Sequence, residues 1–216
     1  MTGCVRLLLE AGAAVEQPMA NGLTAFFCAC SRGNMPIVQM LSASGATRSV
    51  RRGGEVLGLE ILLPLVERGD PGVREVVEWL DESRGWTPLH HVAVLTPARA
   101  TALLRGGACP HALAPVAPPT GLARTPLQLA RGLAAQSSLD GSAAAVLDVL
   151  ERAAAPWSSA NHDLLPAKAR ARAQELLVLG YRLALQPRFD GCAHAIVDVW
   201  KSSVIPQALA AFCADE

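Results

Sequence analysis

The sequence predicts an all-α fold of repeated helical units, capped by C-terminal helices. The composition points that way first. Ala and Leu dominate, 51% of residues are hydrophobic and only 4% are aromatic, which favours packed helices over sheets. One helix start then occurs three times, in full at 84–91 (RGWTPLHH), shortened at 124–130 (RTPLQLA) and worn at 22–29 (GLTAFFCA). In the full copy Thr87 caps the helix with its hydroxyl, and Pro88 fits the first turn, where its missing N–H is not needed. His90, at the third helical position, can reach back to the cap. Finally, glycines close helix after helix, the mark of a repeated unit.

In chain order, residues 3–16 form half a repeat: one helix, closed by Gly12, with Val5, Leu8 and Leu9 on a shared face. Its first helix is lacking and its Leu7–Leu9 edge is apolar. This predicts a piece of a longer array or an end covered by a partner. Residues 21–47 form a whole unit, with an Asn-Gly turn, the cap Thr24, a stop at Gly33, a second helix around Ile37 to Leu41, and Gly45. Phe27 stands where a cap partner belongs, so a weaker cap and a partly exposed ring are expected.

Residues 54–82 read as a degenerate unit of two helices joined at Gly69-Asp70-Pro71. Asp70 is the N-cap, Pro64 kinks or ends the first helix, and Val73, Val76, Val77 and Leu80 make the apolar stripe of the second. The unit at 84–112 carries the full motif and a second helix from Thr96-Pro97 to Leu104. A proline-rich insertion follows from Cys109 to Ala123. The unit at 122–154 has TPLQLA, a Ser/Gly loop and a last helix. At Pro156 the pattern changes. Residues 156–216 are a helical tail, with Leu176, Leu177, Leu179 and Leu183 on one amphipathic helix and a break before Pro206.

These motifs resemble the ankyrin repeat family. Its pattern G-x-T-P-L-H-L-A-A-x-x-G is matched by Gly22, Thr24, Ala29 and Gly33, by Gly85, Thr87, Pro88, Leu89, His90 and Ala93, and by Thr125, Pro126, Leu127, Leu129 and Ala130. His91 departs from the family's Leu and Val92 from its Ala. The resemblance covers residues 1–155 and implies a solenoid of stacked antiparallel helix pairs with short projecting hairpin loops, whose concave face and tips bind protein partners. It implies no enzymatic activity and no cofactor. Candidate surfaces are Glu16 to Met19, Arg51 to Glu55 and Pro110 to Thr120. The tail is expected to cover the open end of the stack.

Charge excludes some functions. Nineteen basic and nineteen acidic residues give no net charge, which argues against nucleic-acid binding, and Arg48, Arg51 and Arg52 read as a solvated loop. There is no 18-residue apolar run for a membrane span and no signal-peptide pattern, so an intracellular, cytoplasmic protein is expected, with the nucleus left open. The six cysteines are scattered, which suits reduced, mostly buried thiols.

Three clusters invite chemistry, and each has a structural reading. Cys28 and Cys30 lie two apart on a helix and point to different faces, so no metal is expected there. His90 and His91 diverge by about 100° on a helix, so a joint catalytic role is not expected. Asn161-His162-Asp163 suits capping of the helix near Pro166. Two alternatives to a plain interaction module stay open. One is an adaptor whose tail recruits a second complex, since Val204-Ile205-Pro206, Leu209 and Phe212 distantly resemble the end of the SOCS box that links some ankyrin proteins to ubiquitin ligases. The other is an enzyme built on Cys192 and His194.

Overall fold

A computed structural model describes residues 2–48, 50–52, 55–57, 62–114, 124–136 and 141–214. Among the described residues the regular elements are helices, apart from one antiparallel ribbon of β1 (Val50–Arg52) and β2 (Glu55–Leu57), in which Arg51 pairs with Val56. No helix among the described residues is long and apolar enough to cross a membrane.

Helix α1 (Thr2–Glu10) is followed by the pair α2 (Ala25–Ser31) and α3 (Met35–Ala43). Asn34 starts α3 by accepting from the Ile37 N–H at 3.4 Å, with Pro36 in the first turn. Three helices end alike. Gly12, Gly45 and Gly107 have φ of +83°, +90° and +97°, which only glycine adopts freely, and each is followed by alanine. In each case the alanine N–H turns back onto the last helical turn: Ala13 to Leu8 O, Ala46 to Leu41 O and Ala108 to Leu103 O, all at 3.0 Å.

The degenerate unit supplies α4 (Leu63–Glu67) and α5 (Pro71–Glu82), after the β1–β2 ribbon. Asp70 caps α5, accepting from Gly72 N and Val73 N, and Val73, Val76 and Leu80 are buried as the stripe requires. Pro64 lies in the first turn of α4, where proline is tolerated, rather than in its middle. Helix α5 lies against both α2 and α3, and the contact is close. A Cβ on Gly33 would come within 2.6 Å of the Gly72 backbone.

The full motif at 84–91 departs from expectation. Only one 3-10 turn, Pro88–His90, forms there, and a turn at 92–94 leads to α6 (Pro97–Arg105), capped by Thr96. Residues 83–86 join α5 to Thr87 as a tight turn closed by Trp86 N to Ser83 O at 2.9 Å, so no projecting hairpin separates α5 from Thr87. The 3-10 turn rests on α3, α6 and α7 (Pro126–Gln136), and α8 (Gly141–Ala154) packs on α6 and α7.

Two cores run through this region. The first holds Phe26, Phe27, Cys30, Val38, Leu41, Val73, Val76 and Leu80. Phe27 is thus buried, contrary to expectation, in the core that α2 shares with α3 and α5. The second gathers Leu89, Leu95, Leu104, Leu127, Val146, Leu150 and, from the tail, Leu164.

The tail divides in two. Its first stretch seals the last helix pair. Leu164 enters the second core, and Asn161, which is buried, donates from Nδ2 to the carbonyls of Arg152, Ala155 and Pro156 at 3.0–3.1 Å. Asn161 therefore closes the C-terminal end of α8 rather than starting the next helix, whose N-cap is Pro166. Beyond it, α9 (Ala167–Ala184), α10 (Ala193–Val199), a π-turn at Trp200–Val204 and α11 (Ile205–Ala214) pack on one another around Ala173, Leu176, Ile205 and Leu209. Trp200 lies over Gly180 and donates from Nε1 to Leu176 O at 2.6 Å. On α9, Leu176 is buried and Leu177 and Leu183 are half-buried, whereas Leu179 is exposed.

Candidate binding cleft

The repeated helix start exists in three chemical versions. At Thr87 the His90 ring closes it: Nδ1 accepts from the Thr87 N–H at 3.0 Å and lies 2.8 Å from the Thr87 hydroxyl. At Thr125 a glutamine does the same work reciprocally, with Gln128 Oε1 accepting from Thr125 N at 3.0 Å and Thr125 Oγ1 accepting from Gln128 N at 3.2 Å. At Thr24 the third residue is Phe27, which offers no acceptor, and the buried Thr24 hydroxyl has no partner among the described residues.

Other motif positions fall into place unevenly. Ala29, Leu89, Pro126, Leu127 and Ala130 are buried, Pro88 and Leu129 half-buried, and Ala93 exposed. Gly22 and Gly33 have positive φ, at +81° and +62°, whereas Gly85, within the short turn before Thr87, does not.

The His90–His91 pair does converge, contrary to the divergence expected of an α-helix. The 3-10 turn and the bend after it bring both rings to Trp86, His90 stacked at 6.1 Å and His91 tilted at 5.4 Å. His91 also lies 5.5 Å from Trp79, which meets Trp86 edge-on at 6.3 Å. Arg48 sits over the other side, its guanidinium 5.5 Å from the Trp79 ring and its Nη1 donating to Leu80 O at 3.2 Å and Ser83 O at 2.8 Å. Arg48 is thus half-buried and caps the C-terminal end of α5, so the solvated-loop expectation fails for it.

Burial governs the electrostatics. His91 is 4% exposed, and its pKa falls to about 3, first by desolvation and then by the Arg48 cation and His90. Desolvation also lowers His90, against the pull of the Arg124 and Ala112 carbonyls, which face the ring without completing a hydrogen bond to Nε2. The Cys30 thiol is pushed up to about 12 by burial. It is held as an inert thiol at neutral pH.

Beside these rings opens a cleft of about 200 Å³, bordered by Gln39, Trp79, Trp86, Val94, Arg124 and Leu133. Its walls come from α3, α5, the turn after His91 and α7. Partly exposed tryptophans with an exposed arginine at the mouth are the residue types that dominate binding hot spots. Trp79, Trp86, Gln39 and Arg124 were not singled out from sequence. The available signal was two of the four tryptophans lying seven positions apart, just before a histidine pair.

The surfaces proposed from sequence fare differently. Glu16 braces its neighbour, accepting from the Thr47 N–H at 2.8 Å and from the Thr47 hydroxyl. Met19 is exposed, within a turn closed by Met19 N to Leu23 O at 2.8 Å. The stretch from Arg51 to Glu55 is the ribbon, of which residues 53 and 54 lie outside the described residues, as do 115–120 of the proline-rich stretch.

The chemical candidates are dispersed. Cys28 is half-buried and contacts Met19, Cys30 is in the core, and no group of metal-ligating side chains occurs among the described residues. His162 accepts from Trp157 Nε1 at 3.3 Å, and Asp163 pairs with Arg105 and Arg152. Cys192 donates its thiol to Phe189 O at 3.3 Å, and His194 is exposed. No family model, curated protein or solved structure matches this chain.

Proposed function

We propose that this chain is a non-enzymatic protein-interaction module, a degenerate stack of ankyrin type that works inside the cell. The recurring closure at Gly12, Gly45 and Gly107 supports the repeat reading. The thiols, expected to be mostly buried, are exposed at Cys4, Cys109 and Cys192, and of the described cysteines only Cys30 is buried. The observation that carries the binding reading is the cleft between units, walled by Trp79 and Trp86 and edged by Arg124. It fits a peptide segment that presents one apolar or aromatic side chain to the tryptophans and a carboxylate to Arg124.

Selection from a displayed peptide library tests this. Binders are expected to carry that pair of groups and to lose about tenfold or more in affinity on Trp86→Ala and Arg124→Ala. Binders indifferent to both substitutions would move the interface away from the cleft.

A second reading is favoured by the separate core of α9 to α11, in which the tail recruits another complex while the repeats hold the target. Ile205 and Leu209 are buried within that core, so a recruiting surface would use other residues. If a chain lacking residues 167–216 keeps its fold and its peptide ligand but loses a second partner, the adaptor reading gains.

A further inference from the structure

The Trp79–Trp86 cleft is chemically one-sided. The two tryptophans of the tail have their indole N–H groups bonded, Trp157 to His162 at 3.3 Å and Trp200 to Leu176 O at 2.6 Å. Those of Trp79 and Trp86 donate to nothing among the described residues, and neither is a buried orphan, so both are open to solvent. Gln39, half-buried on the wall that α3 contributes, has a carboxamide with no partner among the described residues. The exposed Arg124 guanidinium has no carboxylate partner among them either. Apart from Gln39 Oε1 and the ring nitrogens of the buried histidines, the polar side-chain groups around the cleft are therefore donors.

The two indoles are also fixed before a ligand arrives. Trp79 lies under the Arg48 guanidinium and meets Trp86 edge-on, and Trp86 is stacked on His90. Rigid aromatic walls of this kind lose little freedom on binding.

Possible occupants differ in what they bring. A helix has spent its carbonyls on its own N–H groups and would leave the free donors unanswered. An ordinary extended segment brings one N–H for each carbonyl, and the walls are helices and a turn, with no strand edge to receive those N–H groups. A polyproline II segment brings carbonyls with no internal partner and, at each proline, no N–H. Its pyrrolidine rings are compact apolar groups of the kind that aromatic-lined grooves accept. A cationic side chain would meet Arg48 over one indole and Arg124 at the mouth, and like charges repel. A carboxylate beside the prolines answers Arg124 instead.

We infer that the cleft binds a proline-rich segment in the polyproline II conformation, flanked by a carboxylate. The prolines lie against Trp79 and Trp86, their carbonyls accept from the indole N–H groups and Gln39, and the carboxylate meets Arg124. This assignment rests on the cleft being the peptide site and narrows it to one ligand class.

The test titrates the full chain with a fluorescent peptide, EPPAPPE, beside EAAAAAE, KPPAPPK and an acidic aromatic peptide without proline, EGSFSGE. Saturable binding of EPPAPPE below about 1 mM is expected, with EAAAAAE about tenfold weaker or more. KPPAPPK binds more weakly at low salt, and the difference closes as salt is raised. Trp86→Ala weakens EPPAPPE about tenfold. Trp86→Phe and Gln39→Leu, which keep an apolar side chain and delete a donor, each weaken it about threefold or more while the far-UV circular dichroism stays that of the parent. No saturation by EPPAPPE overturns the inference, as does binding that ignores all three substitutions. Tighter binding of EGSFSGE, lost on Trp86→Ala, overturns it while leaving the cleft as a peptide site. Tighter binding of a trimethyl-lysine peptide overturns it in favour of a cationic ligand.

Discussion

Replacing threonine by valine at the three helix starts should give opposite signs at sites that read alike in sequence. Valine keeps the shape and the preference for the extended backbone that Thr24 and Thr87 adopt, at ψ of 166° and 163°, and deletes only the hydroxyl. At Thr24 the hydroxyl is buried with no partner among the described residues, and burying such a group costs about 1–3 kcal/mol. Its removal should therefore stabilise the chain by about 1 kcal/mol, or about 2–4 °C in Tm for a chain of this length. At Thr125 the substitution strips the Gln128 N–H of its acceptor, and at Thr87 it removes the hydroxyl from His90 Nδ1. Each should cost about 1 kcal/mol. Urea and thermal unfolding followed by far-UV circular dichroism at pH 7.5 would measure all three. A loss at Thr24→Val equal to the other two would refute the reasoning, because it would mean that the Thr24 hydroxyl is already bonded. The comparison also explains why the worn start persists. Phe27 is buried, and giving it up for a cap partner would forfeit about 3–5 kcal/mol of core packing.

Other outcomes follow from the same contacts. Gly33→Ala combines a positive φ with a backbone clash against Gly72 and should cost more than 2 kcal/mol, whereas Gly45→Ala, with open space around it, should cost about 1 kcal/mol; equal losses in urea unfolding would count against the close approach of Gly33 to α5. The folded chain resists protonating His91 down to about pH 3, whereas the unfolded chain takes that proton near its ordinary pKa of 6.5. Stability should therefore fall below pH 6.5, approaching about 1.4 kcal/mol per pH unit, with His90 adding in the same sense. His91→Leu should leave stability at pH 7.5 within about 1 kcal/mol, since it trades two ring contacts for the loss of a buried polar group, and should flatten the acid slope; a slope unchanged in the variant would show that His91 is already solvated. Deleting residues 167–216 should leave the cooperative unfolding of the remainder intact, while deleting 156–216 should lower its Tm by 4 °C or more, about 2 kcal/mol for the loss of Leu164 and Asn161. Equal effects of the two truncations would show that the seal is not confined to residues 156–165.

The helix ends were the most legible part of the sequence. Gly12, Gly45 and Asp70 act through backbone geometry that depends on neighbours only a few residues away, so local residue types suffice to place them. The length of the helix after Thr87 was not legible. TPLHH starts a turn in either case, and whether it continues depends on α3, α6 and α7 closing around it. Arg48 was misplaced for a similar reason. Its carbonyl partners at Leu80 and Ser83 lie more than thirty residues away, beyond a ribbon of unremarkable sequence. The cleft shares that non-local character, since Gln39, Trp79, Trp86 and Arg124 belong to four separate segments.

Asn161 makes one amide answer for three carbonyls, with Leu164 beside it plugging the apolar end of the last pair. Terminal sealing of a helical array ordinarily takes a whole polar-faced repeat. Here a loop and a single 3-10 turn cover the C-terminal end of α8, so residues 156–165 form a compact stopper that could be grafted behind the final helix of a designed array in place of a capping repeat.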